Sequence, residues 1–265
     1  MDLLDPAERT ARGAVTQAEI TGRPAPEPGS VFEASWRDYI FAEIWNRPGL
    51  ERRARFLIAI SGAAMAHASD QVMDGYVRGA LKTGELSLAE LREAALHTAV
   101  YGGWPTGELV DKAIDRVSEE LGLPPYDFPP LRGEPWDAHQ RYKDGQAEFH
   151  HVMTFAGPQP IEPYHEGGIL NFVFAEMWPR RILDQRSRRW ITLVGVCEAG
   201  VVVPIDSHIH AAMASGNCSP EEMREFVLQY AVHAGWPKAS NLTNVVAVMA
   251  RKVAAGLPFH AHLPE

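Results

Sequence analysis

The chain repeats one sequence pattern twice, and this repeat constrains the possible fold more than any other feature. Phe41–Trp45 reappears as Phe174–Trp178 at an offset of 133 residues (174 − 41), and Gly103–Pro105 reappears as Gly235–Pro237 at an offset of 132 (235 − 103). A period of about 130 residues is much longer than that of solenoid repeats, and a unit of this length can bury a core of its own. We therefore predict two tandem copies of one domain.

Composition excludes several classes of function. Hydrophobic residues make up 46% of the 265 residues, as in an ordinary globular protein of one or two domains. A net charge of −9 argues against nucleic acid as a partner, because binding it needs a basic face. The apolar runs 56–65 and 191–197 are too short to span a membrane, and Met1–Asp5 does not resemble a signal peptide. Cys197 and Cys218 have neither metal nor redox spacing, so we expect reduced thiols in a cytoplasmic protein.

Local patterns predict helices throughout the chain. In residues 51–67 a basic turn is followed by an almost unbroken apolar stretch, and this pattern predicts a buried helix. Ser87 and Glu90 form a capping box, and Ser219 and Glu222 repeat it in the second copy. No segment alternates with a period of two residues over a useful length, so we predict an all-α fold.

A proline-rich stretch, residues 121–168, separates the two helical patterns. Part of it mirrors the N-terminal arm, because Arg9 matches Arg141 at the offset of 132 (141 − 9). We therefore place the domains at residues 1–125 and 126–265, each preceded by its own arm.

Three motifs in each copy resemble the carboxymuconolactone decarboxylase family. They are Trp45–Arg55, Val77–Leu81 and Ala99–Pro105 in the first copy, and Gln185–Arg189, His208–Gly216 and Ala231–Pro237 in the second. The resemblance implies two tandem alkylhydroperoxidase-like helical domains, with sites where helices pack at the interfaces of a ring-like homo-oligomer. A trimer of such tandem chains would form a pseudo-hexamer, and a dimer is the alternative.

The family contains two chemistries, and the sequence separates them. The peroxidase branch carries a Cys-x-x-Cys pair shortly before a histidine. If His208 is that histidine, the two cysteine positions hold Val201 and Pro204, and without a thiol pair no dithiol cycle is possible. The remaining branch implies a decarboxylase without metal or organic cofactor, acting on a small unsaturated carboxylic acid or lactone. Such a reaction needs a proton donor, a cation for the substrate carboxylate and a dry pocket.

His208 is the first candidate for the proton donor, because histidine titrates near neutral pH. It stands where the family pattern has a histidine, and the first copy has Tyr76 there, which we treat as a substrate-binding candidate. The alternative for His208 is a partly buried ring that only binds a backbone carbonyl. His210 lies about 200° away around the helix, so we expect that the two do not share one small pocket. We keep His210 as a substrate-binding candidate.

Two further candidates for catalysis come from differences between the copies. Glu198 lies in an apolar helix where the first copy has Met65, and burial would raise its pKa into the range of a general acid. A helix end that reaches solvent is the alternative. His233 precedes the second Gly-Trp-Pro motif, where the first copy has Tyr101. His97 and Tyr101 lie on one polar face of their helix. The alternative interpretation of this face is that it is exposed to solvent.

Arginines at the start of the buried helices are candidates for binding a substrate carboxylate. Arg186 and Arg188 stand at a helix N-terminus, which favours anions. The alternative is an ion pair with Glu43 or Glu176, since both of these are also duplicated. We include Glu176 among the substrate-binding candidates.

The tryptophans of the two Gly-Trp-Pro motifs, Trp104 and Trp236, are candidates for the walls of a pocket, with plain core packing as the alternative. His150 and His151 lie in the second arm, but no helical spacing or cysteine cluster supports a zinc site there. We predict no metal.

Two hypotheses of different classes remain. The first is a cofactor-independent lyase, either a decarboxylase or a related isomerase, in which His208 and Glu198 of the second copy transfer protons in a pocket walled partly by the other copy. The second is a non-catalytic binding or assembly protein of the same fold. Divergence between the copies favours the first hypothesis, and the missing thiol pair disfavours a peroxidase-like oxidoreductase.

Overall fold

The computed structural model describes residues 4–131 and 137–264, and every regular element in these two ranges is a helix, which confirms the all-α prediction. The first copy contains α1 (Pro6–Thr21), α2 (Val31–Ser35), the π-helix π1 (Trp36–Ile44), α3 (Arg52–Met65), α4 (Asp70–Thr83), α5 (Leu88–Gly102) and α6 (Trp104–Leu121). The second copy contains α7 (Ala138–Met153), the π-helix π2 (Tyr164–Met177), α8 (Gln185–Ala199), α9 (Val202–Ala214), α10 (Pro220–Ala234) and α11 (Trp236–Ala254).

Signals in the sequence account for the ends of the paired helices. Ser87 and Ser219 each accept a hydrogen bond from the backbone N–H three residues on, so both predicted capping boxes are present. Gly103 and Gly235 adopt φ angles of 89° and 87°, which other residues rarely adopt, and each turns the chain sharply into the next helix. The proline of each Gly-Trp-Pro motif then lies in the first helical turn, where it costs no hydrogen bond. The motif is therefore a helix–helix corner in both copies.

The two buried helices lie at the centre of the molecule and join the copies. Helix α3 packs against α8 and α10, and α8 packs against α3 and α5. One cluster of buried side chains includes Phe56 and Ile60 of α3 together with Trp190 and Leu193 of α8. A core in each copy was expected from the length of the repeat. The main core instead runs through both copies, because helices that are apolar all round must be covered from every side.

An ion-pair cluster at the contact between the copies has a buried arginine at its centre. Glu225 of α10 accepts hydrogen bonds from Arg47 (Nη2–Oε1, 2.6 Å) and from Arg55 (Nη2–Oε2, 3.3 Å) of the first copy. The side chain of Arg55 is only 1% exposed, and it also donates to Gln229 of α10 at 2.9 Å. Removing Glu225 would leave an uncompensated buried charge, so this cluster ties α10 to the first copy.

The π-helices precede the buried helix in both copies. The N–H of Trp45 donates to the carbonyl of Ile40 at 3.1 Å, and that of Trp178 to the carbonyl of Val173 at 3.0 Å, five residues back in each case. Such wide turns are rare and occur often at functional sites. In the described ranges, no helix combines the length and the apolar character that crossing a bilayer requires.

Candidate active site

The packing of the copies creates two equivalent locations, and each contains residues from both copies. At the first, which we call the His208 site, the ring of His208 from α9 lies 5.8 Å from the ring of Tyr101 from α5. At the second, the Tyr76 site, the ring of Tyr76 from α4 lies 5.5 Å from the ring of His233 from α10. Both pairs meet edge to face. The two rings that meet at each location are thus one histidine and one tyrosine, with the two residue types exchanged between the copies.

The His208 site is aromatic and largely buried. Burial and, to a smaller extent, the positive charge of Arg189 lower the pKa of His208 to about 3, so the imidazole is neutral at physiological pH. Burial also raises the pKa of Tyr101, whose hydroxyl accepts a hydrogen bond from Trp178 Nε1 at 2.9 Å. The site therefore presents a neutral imidazole beside a protonated phenol.

Arg189 is a buried cation at this site that was not singled out from the sequence. Its side chain has no exposed surface, and its guanidinium lies 5.2 Å from the ring centroid of Trp178. It donates to the carbonyl of Val152 and to Asn217 Oδ1. Within residues 4–131 and 137–264 no carboxylate pairs with it, and its Nη1 has no hydrogen-bond partner. Burial lowers its pKa to about 10, which leaves it charged at neutral pH.

The repeat held a signal for Arg189. The equivalent position of the first copy is Phe56 (189 − 133), so a charge replaces an aromatic ring inside a buried helix. A buried, unpaired cation is costly unless an anion binds beside it. This arrangement favours a negatively charged ligand at the His208 site.

His97 also belongs to this site, and the structure places it in surroundings that the sequence did not predict. The polar line of α5 was interpreted as a solvated face, but His97 is completely buried and faces the other copy. Its Nε2 lies 2.9 Å from Thr192 Oγ1, and its ring lies 5.0 Å from that of Trp178. Burial, followed by the charge of Arg188, lowers its pKa well below the usual value. The solvated-face interpretation fails because α5 packs against α8.

Arg188 forms an ion pair within the chain. Its Nη2 lies 3.1 Å from Glu93 Oε2, and Arg180 Nη2 lies 2.5 Å from Glu93 Oε1. Although burial raises the pKa of Glu93, the hydrogen bonds from Arg180 and Arg188 hold it below its usual range. This cluster is the counterpart of the one around Glu225. Arg188 is thus paired within the chain. Its carboxylate partner is Glu93, and not Glu43 or Glu176 as expected.

Arg186 and Glu176 are also engaged in ion pairs. Arg186 binds Glu222 at 2.6 Å and Glu51 at 3.0 Å, and Glu176 binds Arg141 of the second arm at 2.7 Å. Substrate binding by Arg186, Arg188 and Glu176 stays a prediction.

Glu198 and His210 make polar contacts with groups other than His208. Glu198 accepts a hydrogen bond from the Tyr230 hydroxyl at 2.7 Å and pairs with Lys238 Nζ at 2.6 Å. His210 Nε2 lies 2.8 Å from the carbonyl of Leu257. The backbone contact weighed above as the alternative for His208 is thus made by His210. That Glu198 assists His208 stays a prediction.

Trp104 and Trp236 lie at the surface, with 60% and 51% of their surface exposed. Each ring packs beside a π-helix of the other copy, Trp104 at 5.8 Å from Phe172 and Trp236 at 6.4 Å from Tyr39. Plain core packing is therefore wrong for both.

Neither cysteine has the character of a reactive thiol. Cys197 and Cys218 are free and buried, and burial raises the pKa of both, for Cys218 to about 12. A thiol held protonated in this way is a poor nucleophile. Among the residues that the structure describes, no three His, Cys, Asp or Glu side chains are grouped to hold a metal ion.

Comparison with known proteins agrees with the division into two copies. The model of the carboxymuconolactone decarboxylase family matches residues 31–113 and 164–247, once per copy, which confirms the resemblance. Nitrosuccinic acid decarboxylase npaB of Metarhizium robertsii is 35% identical over 92 residues, which cover 35% of this chain and 61% of that protein. The 4-carboxymuconolactone decarboxylase of Acinetobacter baylyi is 25% identical over 130 residues, which cover 46% of this chain and 96% of that protein. The matched part thus spans about three fifths of the first relative and nearly all of the second.

Proposed function

This chain belongs to the carboxymuconolactone decarboxylase family, and we propose that it is a cofactor-independent decarboxylase of a small, activated carboxylic acid or lactone, working at the His208 site. The observation that carries the proposal is Arg189, a buried cation without a carboxylate partner in the described residues, close enough to His208 to lower its pKa. A substrate carboxylate would supply the missing negative charge.

The names of the two relatives suggest how such a reaction proceeds without help from a cofactor. One name specifies a nitro acid and the other a carboxylated lactone. A nitro group and a lactone carbonyl both accept electrons. When the C–CO2 bond breaks, its electron pair can therefore delocalise into the substrate itself, and a proton then adds to the carbanion. The substrate in this way provides the electron sink that a cofactor provides elsewhere.

In this proposal the chain binds the anion, excludes water and transfers protons. Arg189 binds a carboxylate or the developing negative charge of the sink, and the aromatic wall formed by Trp178 keeps the site dry. The negative charge of the bound substrate raises the pKa of His208 from its low value, so the imidazole can carry the proton that is delivered to carbon. Tyr101 orients the histidine or the substrate. Glu198, which pairs with Lys238, handles a second proton.

Replacing Arg189 tests the proposal. We expect Arg189→Gln to lower kcat/KM for nitrosuccinic acid or 4-carboxymuconolactone by at least about 100-fold, which is typical for losing one donor to developing negative charge. Arg189→Lys, which keeps the charge, should retain more activity. Release of CO2 measures the rate, and thermal unfolding shows that each variant is folded.

Arg224→Gln is the control, because it removes the same charge from an exposed position. Equal losses in the Arg189 and Arg224 variants would show that net charge, and not the buried guanidinium, matters. No release of CO2 from either acid by the wild-type chain would contradict the proposed substrate class.

A further inference from the structure

The Tyr76 site opens into a cavity of about 620 Å³, a size typical of sites for small molecules. Its walls come from α1, α2, π1, α4 and the loop that leads into α2. Four of the lining residues are aromatic, namely Phe32, Trp36, Phe41 and Tyr76. A planar, unsaturated molecule would find ring faces and edges around it.

Two buried polar atoms at this site lack partners. The hydroxyl of Tyr76, a residue only 2% exposed, has no hydrogen-bond partner within residues 4–131 and 137–264, and neither has Nε2 of His233. Burial raises the pKa of Tyr76 and lowers that of His233 to about 4, so both are uncharged at neutral pH. An unsatisfied buried polar group costs about 1–3 kcal/mol. Tyr76 lines the cavity, so a hydroxyl or carbonyl group of a ligand there would satisfy its hydroxyl.

The charges around this cavity disfavour an anion. Among the described residues, its lining contains no arginine, lysine or histidine, but it does contain Glu33 and Glu27, the latter paired with Arg37 at 3.3 Å. The position equivalent to Arg189 is Phe56, whose ring lies 5.1 Å from that of Trp45. The cation that suits the His208 site to an acid is therefore replaced by an aromatic ring.

The second copy has a large apolar side chain where the cavity wall of the first copy has a polar one. The position equivalent to Gln17 is Phe149 (17 + 132), whereas Trp36, itself large and apolar, is matched by Ile169 (36 + 133). Phe149 packs at 4.6 Å from Phe174, in an apolar cluster that also contacts Ile169. The polar, open form of this location is therefore a property of the first copy.

We propose that the cavity at the Tyr76 site is a second binding site, selective for an uncharged aromatic or unsaturated molecule that carries a hydroxyl or carbonyl group. It has no role in the decarboxylation proposed above, and the two sites differ in the charge of the molecule that they accept. Tyr76 donates its O–H to the ligand, and the surrounding rings cover the ligand's faces.

Calorimetric titration of the full chain with benzamide and benzoate tests this proposal, because the two probes have nearly the same shape and differ in charge. We expect benzamide to bind at the Tyr76 site at least tenfold more tightly than benzoate does. Gln71→Trp, a change at an exposed residue that lines the cavity, should abolish benzamide binding. Tyr76→Phe should weaken it about threefold to tenfold, as expected for one lost hydrogen bond.

Val203→Trp is the matched control, since Val203 is the exposed equivalent of Gln71 in the second copy (71 + 132). It should leave benzamide binding unchanged. Benzoate that binds beside Arg189 would be lost in Arg189→Gln and kept in Gln71→Trp, so failure at one site is separable from failure at the other. The proposal would be overturned if benzamide did not bind, or if its binding survived Gln71→Trp. It would also be overturned if benzoate bound equally tightly and Gln71→Trp removed that binding.

Discussion

At the scale of single residues, burial holds several histidines in their neutral form. The pKa of His208 is about 3 and that of His233 about 4, both lowered by burial, and His97 lies well below its usual value. In the unfolded chain these rings regain an ordinary pKa near 6.5. Below that pH these histidine rings bind protons in the unfolded state but not in the folded state. The stability supplied by the neutral rings is therefore complete above about pH 6.5 and is lost as the pH falls towards 3.

This linkage makes a prediction for His208→Gln. Between about pH 6.5 and 5, the free energy of unfolding should fall less steeply in the variant than in the wild type, by at most about 1.4 kcal/mol per pH unit. Chemical denaturation at a series of pH values measures the slope. His260→Gln, a change at an exposed residue, is the control and should leave the slope as in the wild type. Identical slopes for His208→Gln and the wild type would contradict a neutral His208.

The sequence predicted the residues of the site unevenly. Aligning the copies identified Tyr76 and His208 as a significant difference, because the exchange lies inside a recognisable motif. The same alignment contained Arg189 against Phe56, but an arginine next to other arginines at a helix start is easily interpreted as part of a basic turn. Its burial depends on contacts from α7 and from Trp178, directly after π2, which lie outside the helix that carries it.

At the scale of elements, the close approach of α5 to α8 positions Tyr101. A Cβ added at Gly195 would lie 2.6 Å from Tyr101 Cβ and 3.0 Å from its backbone oxygen. At the equivalent Gly62, the nearest atom would be His233 Cβ at 3.3 Å. We therefore expect Gly195→Ala to force α5 away from α8 and to destabilise the fold by about 1–3 kcal/mol, with reduced decarboxylation. Gly62→Ala should cost less in stability and little in activity.

Denaturation and rate measurements on the two glycine variants check this prediction. Equal effects of Gly195→Ala and Gly62→Ala would show that the spacing of α5 and α8 does not control the site.

The sequence predicted most elements correctly, since caps and helix breakers are local. Both capping boxes formed, and both Gly-Trp-Pro motifs ended one helix and began the next. The π-helices could not be predicted, because the hydrogen bond five residues back in π1 and π2 follows from packing and not from any residue pattern.

At the scale of the whole molecule, the repeat showed which positions are equivalent but not which positions touch. Helix α3 packs against α10 of the other copy, and α8 packs against α5 of the other copy. These contacts bring the histidine position of one copy next to the tyrosine position of the other. Offsets in a sequence carry no information about such pairing. The domain boundary near residue 125 and the homo-oligomer implied by the resemblance stay predictions.

One of the two equivalent locations, the His208 site, is proposed to be the working decarboxylase site. The most direct measurement compares kcat for CO2 release in His208→Gln with that in Tyr76→Phe, its equivalent in the first copy, with both variants shown to be folded. We predict a loss of about 10²–10⁴-fold for His208→Gln, the usual contribution of a positioned proton donor. Tyr76→Phe should lose much less. Equal losses at the two positions, or no loss at His208, would contradict the account.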